Sequence, residues 1–78
     1  MAAIKDPKKL LIRCLAQEIP VFVLTGTDKC SLAALKAYLA EAKQLGCISE
    51  FINDLETNVL PDFSNFQEQE PDSLKLPD

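Results

Sequence analysis

Thr25-Gly26-Thr27-Asp28-Lys29 places two hydroxyls, a glycine, a carboxylate and an ammonium group in five consecutive positions, just ahead of an Ala/Leu-rich stretch with helical spacing. A helix start presents unpaired N–H groups and a partial positive charge, which suit a phosphate or a carboxylate. Thr25, Thr27 and Ser31 would add hydroxyl donors, Gly26 a backbone donor in geometry closed to other residues, and Lys29 charge. Lys9 and Arg13 lie four residues apart, on one face of a helix, with Lys8 beside them. The candidate ligand-binding set is therefore Thr25, Gly26, Thr27, Lys29, Arg13 and Lys9, and the ligand class is a small anion. The junction is not a Walker loop, because it has one glycine and no GK[ST]. Asp28 would repel an anion unless it caps the helix or meets a ribose hydroxyl. An ordinary capped turn and an ordinary solvated basic face remain the plain alternatives.

Other chemistry is thin. The chain has no histidine, the commonest general acid–base. The carboxylate pairs Asp54/Glu56 and Glu68/Glu70 have no evident partner. Cys14, Cys30 and Cys47 are an odd number with no CxxC, so neither a full disulfide set nor a zinc site is expected. Buried free thiols in a reducing cytosol are the expectation, and Cys30, lacking a histidine to activate it, is read as inert. Tyr38, Phe51, Phe63 and Phe66 sit at helical spacing and read as core. No catalytic residue, metal ligand or cofactor is assigned, and an enzyme is not expected.

These groups must be positioned by few elements. Asp6-Pro7 is a helix entry, Asp as N-cap and Pro at the first helical position, and predicts a helix over 7–18. Pro20 forbids its continuation. Val21-Phe22-Val23-Leu24 is apolar without alternation, the pattern of a strand covered on both faces. Residues 10–15 as a second strand, forming a hairpin with 21–24, is the competing reading, since short apolar runs are ambiguous. Thr27, Asp28 or Ser31 would cap a second helix reaching about residue 45, with Leu32, Leu35, Leu39 and Ala42 facing inward and Gly46 as its stop. Ser49 would cap a third, with Ile52, Leu55, Val59, Phe63 and Phe66 in one stripe that keeps its phase across Pro61. A kink, or two short helices in line, is expected there.

A chain of 78 residues is one small domain, and by size scaling it would fold to roughly 4,700 Å² of surface with a marginal core. The division expected is a flexible start over 1–5, an α-β-α-α domain over 6–66 and an acidic extended tail over 67–78. Residues 1–13 carry a net +3, 14–66 a net −4 and 67–78 a net −3. An acidic chain argues against duplex DNA as partner. No signal peptide or membrane-spanning run is visible, so a cytoplasmic protein is expected, in the host cell if phage-encoded.

The segment Pro20-Val21-Phe22-Val23-Leu24-Thr25-Gly26-Thr27-Asp28-Lys29 and the helix after it, about residues 20–45, resembles small phage and mobile-element proteins that begin with a "PVF-apolar-L-x-x-x-D" strand and turn. The resemblance implies an anti-defence setting, in which such proteins sequester nucleotide signals or block a host protein. A lone strand needs a neighbour for its N–H and C=O groups. The expectation is thus a mainly α chain with one short β-strand, assembled as a homo-oligomer through residues 20–24. Its expected function is non-enzymatic: sequestering a small anionic ligand, such as a nucleotide immune signal, between subunits. The alternative is a protein–protein inhibitor or adaptor that works through its strand edge and acidic tail.

Overall fold

The structure, a computed structural model, describes residues 6–76. The flexible start expected over 1–5 and the last two residues of the tail lie outside the described residues. Three helical segments dominate, and among the described residues there is no sheet.

Helix α1 spans Pro7–Ala16. The Asp6 carboxylate accepts from the N–H groups of Lys8 and Lys9 at 3.1 and 3.2 Å, and Pro7 occupies the first turn, as the Asp-Pro entry predicts. Residues 10–15 are therefore helical and form no hairpin with 21–24. The helix ends two residues before the expected 18. Ile19 N–H donates to Cys14 C=O at 2.9 Å and Glu18 N–H to Leu15 C=O at 3.3 Å, a Schellman closure. That closure puts Glu18 at φ +55°, a left-handed conformation that costs a non-glycine residue about 1–2 kcal/mol. The chain leaves this turn as an irregular, largely exposed arm over residues 19–24. Among the described residues, Val21, Phe22, Val23 and Leu24 make no backbone hydrogen bond, so no strand forms within the chain.

Helix α2 spans Ser31–Gln44 and ends in the same way, this time with a glycine at the left-handed position: Gly46 has φ +74°, and Cys47 N–H reaches Ala42 C=O at 3.0 Å. Helix α3 spans Ser49–Asp54, and its N-cap is Ile48 rather than the expected Ser49, whose side chain caps nothing. A π-helical turn over Leu55–Val59 follows, and α4 continues over Leu60–Gln69. The π turn is how the helix passes Pro61. Leu60 N–H bonds to Leu55 C=O five residues back, widening the helix just where the proline has no N–H to give and its ring crowds the previous turn. Residues 49–69 thus run on without a break through the π turn, rather than as the kink or the two short helices expected at Pro61.

Packing of α2 against α3 and α4 makes a helical hairpin. Leu32, Leu35, Leu39 and Ala42 on α2 and Ile52, Leu55, Val59 and Phe63 on the facing helix are all half-buried or better, and Ala42 and Leu55 are fully buried; Tyr38 and Phe66, expected in the core, are instead exposed. Tyr38 and Phe51 pack edge to face with centroids 6.1 Å apart, and Lys43 pairs with Glu56 at 3.4 Å, an exposed bridge of little worth. The tail differs from expectation. It does not leave the domain at residue 66: the helix runs to Gln69, a 3₁₀ turn covers Pro71–Ser73, and Lys75 returns to form a parallel bridge with Asp28.

Candidate functional site

Asp28 organises the junction. Its carboxylate accepts from Cys30 N–H at 2.7 Å, and its carbonyl accepts from Ser31 N–H at 3.1 Å and Ser31 Oγ at 2.7 Å. Cys30 itself holds the N-cap position of α2, with no side-chain cap bond. The expected conflict between Asp28 and an incoming anion is thereby resolved in favour of the turn, since the charge is spent on the backbone entering α2.

Two distant segments then clamp the turn. Lys29 N–H donates to Lys75 C=O at 3.0 Å, and Lys75 N–H donates to Thr27 C=O at 2.9 Å. Gln67 Nε2 lies 3.2 Å from Gly26 C=O, 3.3 Å from Asp28 C=O and 3.1 Å from Ser31 Oγ. The Phe66 ring lies against Gly26, so close that an added Cβ would stand 3.0 Å from it. Here the glycine serves close helix approach and not access for a ligand.

The six candidate residues fall into two groups. Thr25 and Thr27 are joined by a 2.8 Å hydroxyl–hydroxyl hydrogen bond, Gly26 lies beneath Phe66, and Lys29 is exposed with its N–H engaged by the tail. Lys9 and Arg13 lie on α1, where with Asp6 and Leu10 they line a shallow hollow of about 360 Å³. No hydrogen bond or ion pair joins the two groups among the described residues. A second hollow of about 370 Å³ lies between α2 and the 49–69 helix beside Pro61, with Lys36 and Glu56 on its wall. A third, apolar and about 110 Å³, is lined by Tyr38, Glu41, Ala42, Leu45 and Cys47.

Sequence reasoning missed Gln67 and Lys75. Gln67 was legible in part: it stands four residues after Phe63, on the inward stripe, where a polar residue must find a partner. Lys75 carries no local signal. The three thiols are free, as expected, but not buried, for Cys30 and Cys47 are exposed and Cys14 only half-buried. Among the described residues no cluster of three His, Cys, Asp or Glu side chains could hold a metal, and no helix is long and apolar enough to cross a membrane.

The largest chemical feature is apolar. Leu11, Ile12, Leu15, Ile19, Val21, Phe22 and Val23 are all exposed, Phe22 by 83%. No family model, curated protein or solved structure matches the chain.

Proposed function

We propose that this chain is a non-enzymatic binding protein that works by burying α1 and the 19–24 arm against another polypeptide, and that its first partner is a second copy of itself. The observation that carries this reading is the series of exposed apolar side chains from α1 through Val23, on a segment whose residues 21–24 have no backbone hydrogen-bond partners among the described residues. Monomeric proteins rarely leave such patches bare. The area agrees. The chain exposes 6078 Å², about 1,400 Å² above the size-scaled value, and its radius of gyration of 13.5 Å exceeds the roughly 11.5 Å of a compact chain this long. A standard interface needs about 800 Å² per partner. Antiparallel pairing of residues 20–24 across a two-fold axis would satisfy the edge, and the apolar side chains would bury the surface. The resemblance of residues 20–45 to mobile-element proteins supplies a setting, in which the assembled protein blocks a host defence protein.

Light scattering of the purified protein tests this. Twice the chain mass or a higher closed multiple is expected, and Val23→Pro, which removes a ladder donor and fixes φ, is expected to return the monomer mass. A monomer at every concentration overturns the reading.

One observation favours a second reading, sequestration of a small anion such as a nucleotide signal. Lys9 and Arg13 share the α1 hollow and have no ion-pair partner among the described residues. Calorimetric titration with a panel of cyclic nucleotides is expected to give heat that Arg13→Ala removes; no heat with any member eliminates it.

A further inference from the structure

The chain exposes a second apolar patch, and it is the shape of a receptor. At the end of the helical hairpin, Tyr38 and Leu45 wall a groove floored by the fully buried Ala42, with Cys47 and Glu41 on its rim. Ile48, directly after Cys47, leaves its side chain in solvent. The groove volume of about 110 Å³ is less than the roughly 150 Å³ of an apolar cavity that takes up benzene, so this open groove has room for the edge of one aromatic ring and for nothing larger. The most exposed large apolar side chain described, Phe22, is an aromatic ring at the middle of the arm.

We propose that the groove of one copy is the seat for Phe22 of a second copy, so that the two chains exchange arms reciprocally around a two-fold axis. This rests on the association reading above and specifies its contacts. Arm-on-arm pairing alone would leave Tyr38, Leu45 and Ile48 bare on both copies, whereas reciprocal exchange covers the arm and the groove at once and closes the assembly at two. Charge fits the same arrangement. The arm is led by α1 with Lys8, Lys9 and Arg13, none of them ion-paired among the described residues, while the groove carries Glu41 on its rim and Glu50 just beyond Ile48. Opposite signs on the two patches favour cross-copy docking and disfavour groove against groove.

The test uses the full chain with Cys14→Ser and Cys30→Ser, leaving Cys47 at the groove, and Phe22→Cys on the arm. Equal amounts of ¹⁴N- and ¹⁵N-labelled protein are mixed, oxidised with diamide and digested without reduction. Mixed-isotope peptides linking position 22 to Cys47 are expected as the main product. A 22–22 link, or no inter-copy link, from protein that light scattering still finds dimeric overturns the groove seat and leaves association standing; a monomer before and after overturns both. Because Phe22→Cys removes the proposed anchor, Leu45→Asp supplies a second measurement. Leu45 is exposed, so the variant should fold, and its dimer dissociation constant is expected to rise at least about tenfold. An unchanged constant overturns the seat.

Discussion

Leu55→Ala is expected to lower the unfolding free energy by about 2–5 kcal/mol, the range for truncating a buried leucine where the surroundings cannot collapse into the gap. Leu55 is the one large apolar side chain among the described residues that is fully buried, at 5% exposure. A 78-residue chain holds only about 4–12 kcal/mol in total, so the loss removes a large part of its stability. Collapse is hindered by the backbone. Leu55 opens the π turn, and its carbonyl is held by Leu60 N–H, which fixes the widened geometry that carries the helix past Pro61. The melting temperature followed by far-UV circular dichroism should fall by roughly 10 °C or more at fixed protein concentration. An unchanged melting curve would mean that the hairpin is held elsewhere.

The elements built from local rules were legible in the sequence. The Asp6-Pro7 entry, the Gly46 stop and the two inward stripes needed only neighbours within four residues, and they stand where the spacing put them except at Phe66, which ends its stripe exposed. Pro61 was legible as a disturbance, read from the in-phase stripe as a kink or two short helices in line; the π turn carries the helix through instead. What depends on distant partners was not legible. Residues 20–24 have strand composition, yet composition supplies no ladder, and within the described chain none forms. The 25–29 junction looked like an anion cradle because its donors were counted as free. Two of its N–H groups are instead engaged, that of Asp28 by the Thr25 carbonyl within the turn and that of Lys29 by the distant Lys75 carbonyl, whereas those of Thr25, Gly26 and Thr27 make no hydrogen bond among the described residues. The tail was read as extended from its charge and prolines, whereas Gln67 and Lys75 fasten its two ends to that same junction.

Gln67→Glu tests that fastening, and its effect should depend on pH. The orientation of the amide is fixed by its neighbours. Gly26 and Asp28 offer carbonyl oxygens, which only accept, and the Ser31 hydroxyl already donates to Asp28 C=O, so it too accepts. The nitrogen of Gln67 must face all three. Ser31 is fully buried, so water does not replace the lost donor at its hydroxyl. A carboxylate placed there turns donors into acceptors and sets negative charge against two carbonyl oxygens. Losing the donor costs about 1–3 kcal/mol, and a charge costs more. The sign in pH follows from which form the site tolerates. The introduced carboxyl can donate one hydrogen bond when protonated, so its folded-state pKa lies above the unfolded value of about 4.3. Its penalty is therefore full at pH 7 and shrinks as the pH falls through the raised folded value. Gln67→Ala loses the donor without adding a titrating group, so its deficit should stay constant. Urea denaturation of the three proteins at pH 7 and at pH 5 separates these cases, since the other acidic groups cancel in differences from the parent chain taken at each pH. A narrowing gap for Gln67→Glu beside a fixed gap for Gln67→Ala is the expected pattern. Equal midpoints for all three would mean that the 25–29 turn stands without its clasp.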